Sequence, residues 1–225
     1  WKRSFRSSDR LQAAVLTESA LLKGARQFFG DNGFYEVTTP HVTRATGACE
    51  NIATMFQLDF FNQRSYLVQT GQLYLEAWIP RLKKVWCSGP SFRAEPHVDE
   101  RHLCEFPLVE MELECDFGQL LSNIEGLICS MVNQAGKDAK EALETLGIDT
   151  RPLRDLKPPF QKITYTQAIE DLRARYGLDW GADLKADYER YLVEVYGSQP
   201  LFITHYPEPI KFFNMKNNDE DPRVV

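Results

Sequence analysis

No run reaches about eighteen apolar residues, the length a membrane-spanning helix needs, and the first ten residues, WKRSFRSSDR, hold no apolar export segment. We expect neither export by a visible signal nor insertion into a membrane. Basic charge is not in excess: 26 Lys and Arg against 32 Asp and Glu leave a net charge of −6. There is thus no global field to attract nucleic acid, and a polyanionic partner would have to be held by a local patch. The five cysteines are odd in number, widely spaced and never in a C-x-x-C pair. That excludes an obvious disulfide framework or zinc site and points to reduced thiols in a cytoplasm. Internal repeats, low-complexity tracts and the regular βαβ alternation of a doubly wound fold are also missing.

The remainder describes an ordinary globular chain. Of 225 residues, 43% are hydrophobic and 26% charged, with 12 prolines spread along the length. A chain of this size can bury a full core, and one domain spanning 1–225 is the expected organisation. Leu11, Val15, Leu22, Ala25 and Phe29 recur at helical spacing after Ser7, Ser8 and Asp9, which predicts an amphipathic helix closed near Asn32 and Gly33. FYEVTTP reads as a short strand stopped by Pro40, and polar residues follow as a loop. MFQLDFF and SYLVQ read as paired strands around a turn at Asn62 to Arg64, and GQLYLEAWIPRL as one helix. VWCSG is a further short strand. SFRAE and EFPLVEMELE flank a turn at Pro96 to Asp99 and predict a long hairpin. A helical pattern runs from Phe117 to Leu146. Thr164 with Gln167 three residues later forms a capping-box pattern for a helix through Ala174, and another helix spans Leu184 to Val195. PLFITHYP and IKFFNM are expected as closing strands. The class is α+β with an antiparallel sheet.

The stretch GPSFRAEPHVDERHLCEFPLVEMELE, residues 89–114, concentrates the chemistry. Strand alternation puts Arg93 and Glu95 on one face, and Phe106, Leu108, Glu110, Glu112 and Glu114 together on one face of the return strand. If both faces aim inward, Arg93 with Arg101 and His102 could hold a triphosphate. Paired carboxylates could then share its magnesium, and Phe106 could stack on a base. The competing reading is a surface hairpin whose cross-strand ion pairs contribute roughly 0.2–1 kcal/mol each.

Phe92-Arg93-Ala94-Glu95, a short loop, Arg101-His102-Leu103 and Glu105-Phe106 resemble motif 2 of the class II aminoacyl-tRNA synthetases. GFYEVTTP resembles motif 1, which implies a homodimer formed through the region around Pro40. YLVQTGQLYLEA is similar to the amino-acid-binding segment of the aspartyl and asparaginyl branch. WGADLKADYERYLVE and PLFITHYPEPIKFFNMKNND are similar to the late part of the asparaginyl enzyme's catalytic domain. The resemblance implies a class II-type antiparallel β-sheet flanked by helices. It also implies that Arg93 binds the α-phosphate of ATP and the substrate carboxylate, with Glu95 on the adenine amino group. Arg101 and His102 would then hold the γ-phosphate, Leu103 beside them would belong to the same ATP-binding set and Phe106 would stack on adenine. Glu110 and Glu112 lie on the ATP floor and are the paired carboxylates expected to share Mg2+, with a structural ion pair to an arginine open for either; the family's own magnesium acid precedes motif 3. No covalent protein nucleophile is needed, because such a site acts by positioning and charge neutralisation.

For the amino acid, the resemblance implies Glu50, from a mobile loop, and Gln72 for the α-ammonium, and Glu76 and Lys216 for the side chain. Leu75 stands where the aspartyl branch usually carries a lysine, whereas Glu76 can accept from an amide NH2 and repels a carboxylate. The expected substrate is therefore asparagine rather than aspartate, carried to tRNA as an aminoacyl group.

Two family parts are not seen. No anticodon-reading OB-fold precedes the first helix, and no Gly-rich motif 3 follows Gly197. We accordingly expect that the natural protein is longer, that the fold given is incomplete at its C-terminal end, and that this chain alone is inactive. Two alternatives stay open: a free-standing paralogue that amidates aspartate to asparagine without tRNA, and a catalytically silent binding protein on the same fold. The acidic Val98-Asp99-Glu100 turn, an awkward neighbour for tRNA, keeps the first of these in play.

Overall fold

The computed structural model describes residues 8–45, 52–95, 103–154, 156–211 and 215–225. The chain divides into two compact units, one made of Trp1–Leu22 with Ile128–Val225 and the other of Lys23–Leu127.

The Lys23–Leu127 unit is organised by one long antiparallel pair. Strand β5 (Lys84–Phe92) runs against β6 (Glu105–Leu113) through nine opposed pairs, from Lys84 with Leu113 to Phe92 with Glu105. The predicted VWCSG and SFRAE strands are thus one strand, passing through Pro90. The reason lies in the ladder. Arg93 N–H donates to the Cys104 carbonyl and Glu114 N–H to the Lys83 carbonyl, so the odd-numbered β5 residues form the hydrogen-bonded pairs. Pro90 opposes Pro107 at a non-hydrogen-bonded pair, where neither ring removes a rung. On the outer edge β1 (Tyr35–Glu36) pairs with β5 in parallel, an addition to the antiparallel sheet expected.

A second sheet sets β2 (Val42–Thr43) and β3 (Gln57–Phe60) on either side of β4 (Gln63–Leu67), all antiparallel. Its hairpin turns through Phe61 and Asn62, both at positive φ (51° and 60°), the conformation of a tight two-residue connection. The single helix expected over GQLYLEAWIPRL is two short ones, α2 (Gln72–Glu76) and α3 (Ile79–Leu82). Pro80 therefore starts a second helical turn instead of closing the first. One face of the sheet takes α2, with Leu75 buried against Val85 and Cys87. The other carries Trp86, stacked on Phe29 at 4.4 Å between ring centroids. Phe29 comes from the long first helix, α1 (Asp9–Asp31).

In the other unit, the first half of α1 differs from the predicted stripe. Leu11 and Val15 are 43% and 61% exposed, while Ala13 and Ala20 are buried with Ala135, Ala139, Ala142 and Leu143. Small side chains let the helices approach closely, so here the alanine face rather than the leucine face is covered. The helical stretch expected over 117–146 is broken at Ala139 into α4 (Phe117–Asp138) and α5 (Lys140–Thr145). A short helix, α6 (Arg151–Arg154), follows. Strand β7 (Gln161–Thr164), which the sequence reading missed, pairs in parallel with β8 (Leu201–Thr204). Between them lie α7 (Tyr165–Tyr176) and α8 (Ala186–Val195), around a core of Tyr165, Ile169, Leu172 and Leu192. The strand expected over IKFFNM does not form among its described residues; Ile210 ends a 3-10 turn, and residues 212–214 lie outside the described part.

The predicted capping box is present: Gln167 N–H donates to Thr164 Oγ1 at 3.2 Å, and Thr164 N–H to Gln167 Oε1 at 2.9 Å. Gly177 ends the same helix at φ +65°. Thr164→Ala is expected to lower the unfolding free energy by about 1 kcal/mol, with Thr164→Ser close to wild type. Urea denaturation of the three proteins checks this, and equal midpoints would show that the box contributes little.

Candidate active site

The site is built where β5 runs out toward Arg93. Three neighbouring bonds fix that exit. Ser91 Oγ donates to the Gln69 carbonyl at 2.7 Å, Phe92 N–H to the Val68 carbonyl at 2.9 Å, and Ala94 N–H to the Thr54 carbonyl at 2.7 Å. Gln69 is itself 1% exposed and donates from Nε2 to Thr54 Oγ1 at 3.1 Å. Arg93 is therefore held between the segment entering α2 on one side and Cys104 of the return chain on the other. Its guanidinium carbon lies 5.5 Å from the centre of the Phe106 ring, a cation–π arrangement on the face predicted for both residues.

The ladder register opposes Glu110 to Cys87 and Glu112 to Val85 on that same face, beneath α2. Glu110 Oε1 accepts from Gly71 N–H at 2.7 Å and Oε2 accepts from the Thr70 hydroxyl. Thr70 Oγ1 in turn accepts from Gln72 N–H at 3.1 Å, and Gln72 Nε2 donates to Glu76 Oε1 at 2.8 Å. Gln72, Glu76, Glu110 and Glu112 thus form one acidic and amide-bearing floor. Burial, then the charges of Glu76 and Glu110, push the Glu112 carboxyl up to about 7. The Cys87 thiol is pushed up to about 12, by burial first and by Glu110 next. It is a weak donor 3.8 Å from Glu110 Oε1 and not a nucleophile. The four described cysteines, Cys87, Cys104, Cys115 and Cys129, are all free thiols, as expected.

The family model for class II tRNA synthetases (D, K and N) matches residues 4–225. The chain belongs to the class II tRNA synthetases. Among curated members, the asparagine–tRNA ligases of Thermococcus kodakarensis and Thermococcus gammatolerans are 39% and 38% identical over 221 and 220 residues. Each alignment takes in 97% of this chain, and 51% and 50% of the respective relative, so the chain spans about half the length of these curated relatives. The crystal structure of asparaginyl-tRNA synthetase from Pyrococcus horikoshii complexed with asparaginyl-adenylate superposes with a TM-score of 0.90 at 38% identity, over 98% of this chain and 50% of that one. Aspartyl tRNA synthetase from Entamoeba histolytica follows at a TM-score of 0.71 and 25% identity, over 96% of this chain and 42% of that one.

For this class II synthetase chain, the structure brings Arg93, Phe106, Gln72, Glu76, Glu110 and Glu112 into one unit. Glu95 lies just past the β5 exit, half-buried, and Leu103 is 59% exposed at the start of the return chain. Glu50, Arg101 and His102 lie outside the described residues. Lys216 belongs to the other unit, where its exposed amine donates to Asp219 at 2.8 Å. Among the described residues, no three His, Cys, Asp or Glu side chains are grouped to hold a metal by themselves. Sequence reasoning missed Gln69, Thr70 and Gly71. Their nearest signal was the T-G pair just ahead of the helix, since a glycine there allows close approach of another chain segment.

The raised Glu112 carboxyl has a consequence for stability. Between 4.5, the ordinary value, and about 7, the folded state keeps a proton that the unfolded state has released, so the contribution of Glu112 to stability falls as pH rises through this window. Glu112→Gln removes that repulsion. Thermal unfolding without added divalent cation should place the variant above wild type near pH 8, with the gap closing toward about pH 4.5. A gap of constant size would contradict the assignment.

Proposed function

We propose that the protein activates asparagine with ATP, forming asparaginyl-adenylate, and passes the asparaginyl group to tRNA. The substrate carboxylate attacks the α-phosphorus and pyrophosphate departs; the tRNA terminal hydroxyl then attacks the adenylate carbonyl and releases AMP. Charge accumulates on phosphoryl oxygens during the first step, and Arg93 is the group that answers it. Its fixed backbone and its contact with Phe106 favour one orientation before substrate arrives, which is where a positioning site gains its rate. Phe106 offers a flat apolar surface for adenine, with Glu95 to accept from its amino group. Arg101 and His102 are proposed for the γ-phosphate and Glu50 for closure over the amino acid. The two compact units are proposed to belong to one catalytic domain over 1–225.

The observation that carries the choice of asparagine is the face of α2. Leu75 is fully buried in an apolar cluster and brings no cation to a substrate carboxylate, while Glu76 and Gln72 stand hydrogen-bonded to one another on the same short helix. Glu76 can accept from the substrate amide and would repel aspartate; Lys216 is proposed to donate to the amide oxygen. Mg2+ is proposed to accompany the ATP phosphates, neutralising their charge. Of the two floor carboxylates Glu112 suits it better, because its charged neighbours are negative and a cation would relieve them, whereas both oxygens of Glu110 already accept hydrogen bonds.

The full-length protein should exchange pyrophosphate into ATP in the presence of asparagine, with Arg93→Ala lowering kcat/KM by roughly a hundredfold or more. Exchange with aspartate alone would overturn the reading, and formation of free asparagine from aspartate and ammonia would establish the tRNA-independent alternative. We also propose a cytoplasmic homodimer joined through the region around Pro40, flanked by the exposed apolar residues Tyr35 and Val42. Light scattering on the intact protein should return twice the chain mass, and a monomer would refute the dimer.

A further inference from the structure

A net charge of −6 gives this chain no general attraction for a polyanion, so a surface that meets one has to be assembled locally. Such an assembly lies in the unit that contains Ile128–Val225, on residues that take no part in the site around Arg93. Asn133 and Lys137 are four residues apart on α4, so their side chains share one face of that helix. The helix ends at Asp138, and Ala139, buried at φ −128°, turns the chain into α5 with Lys140 as its first residue. Thr150 comes in from the residue before α6. These four side chains border a cleft of about 240 Å³ whose apolar walls are Val132 and Leu153.

No carboxylate lines the cleft. Two acids close in sequence are taken up elsewhere: Asp138 accepts from Gln134 Nε2 at 2.7 Å, and Asp149 receives the Arg151 guanidinium on both oxygens at 2.7–3.0 Å. Glu144 comes only within 3.9 Å of Lys140 Nζ, an exposed pair that holds the amine weakly. Among the described residues Lys137 has no ion pair, and the side chains of Asn133 and Thr150 make no hydrogen bond. The cleft therefore presents two ammonium groups, an amide and a hydroxyl with no carboxylate to compete for them.

Lys, Asn and Thr side chains are ordinary partners of nucleic-acid phosphates, and such contacts fix position without reading bases. The exposure of both lysines decides between possible phosphate sources. A free phosphate in an open cleft stays hydrated and screened, whereas an RNA strand adds this contact to others along its length and releases counterions at each. We propose that the cleft of Asn133, Lys137, Lys140 and Thr150 binds a backbone phosphate of an RNA strand and is a contact through which this unit meets tRNA. This rests on the tRNA-charging reading above and adds to it a contact that is blind to sequence.

The full-length protein and three variants test it, Lys137→Ala/Lys140→Ala, Lys137→Arg/Lys140→Arg and Glu144→Gln, with an unmodified asparagine tRNA transcript as the probe. Filter binding near 0.1 M salt should find the double alanine variant about tenfold weaker, with the slope of log K against log salt shallower by about one to two. The double arginine variant keeps the charge and should bind within about twofold of wild type. Glu144→Gln frees Lys140 and should bind up to about twofold tighter. Pyrophosphate exchange needs no tRNA, so its KM values for asparagine and ATP should stay within about twofold throughout, while the KM for tRNA in aminoacylation rises in the double alanine variant. A merely structural role for the two lysines would shift thermal unfolding and leave the salt slope alone. The proposal is overturned if the double alanine variant keeps the wild-type affinity and slope, or if the double arginine variant is as weak as the double alanine one. Saturable binding of inorganic phosphate at the Lys137 and Lys140 amides that the transcript fails to displace would make this a small-anion site and overturn it as well. Absence of asparagine-dependent exchange in wild type, with the transcript still held through the two lysines, would sink the proposed function and leave the cleft standing.

Discussion

The pairing of β5 with β6 is the constraint on which the site depends. Because strand residues alternate faces, a single register decides at once that Phe106, Glu110 and Glu112 look one way and Trp86 with Met111 the other. A slip of one residue would send the carboxylates into the aromatic layer around Phe29 and bring apolar side chains beneath α2. Two features resist the slip. Burial of Trp86 against Phe29 and of Val85 and Cys87 against Leu75 commits both faces, and the two prolines are tolerated only where they oppose each other without losing a bond.

From that ladder the rest of the site follows by short steps. The end of β5 is gripped through Ser91, Phe92 and Ala94 by the segments around Gln69 and Thr54, so Arg93 emerges with a fixed backbone. The same Val68 to Gly71 segment then turns into α2. Hydrogen bonds from Ser91 and Phe92 to the Gln69 and Val68 carbonyls thus link the chain just before the proposed phosphate-binding arginine to the segment that leads into the proposed amino-acid-binding helix. A site that works by positioning needs such rigidity, because charge stabilisation without a covalent step is lost when donors and substrate can move apart.

The legible part of this protein was the part encoded by local pattern. The hairpin at Asn62, the capping box of Thr164 and Gln167, the common face of Arg93 and Phe106 and the membership in the class II tRNA synthetases could all be read from residues close together in the chain. The misreadings share a cause. Leu11 and Val15 formed a correct helical stripe, but alanines were buried instead, since close helix contact favours small side chains over large ones. GQLYLEAWIPRL had the composition of one helix and became two, because Pro80 is as good a start as it is a poor interior residue. Strand β7 was missed because a four-residue strand leaves almost no periodicity to detect.

Alternation and capping are properties of neighbouring residues, so the chemical groups and the strand face each one occupies follow from local sequence. What those groups do for one another depends on contacts between distant segments. Glu110 and Glu112 are two residues apart with the same side chain and the same face, and nothing local distinguishes them. The fold does: Thr70 and Gly71 are brought from forty residues away onto Glu110, while Glu112 is left half-buried beside Glu76 with its carboxyl pushed up to about 7. Hydrogen-bond partners and desolvation depend on chain segments distant in sequence, and they set the role of a carboxylate.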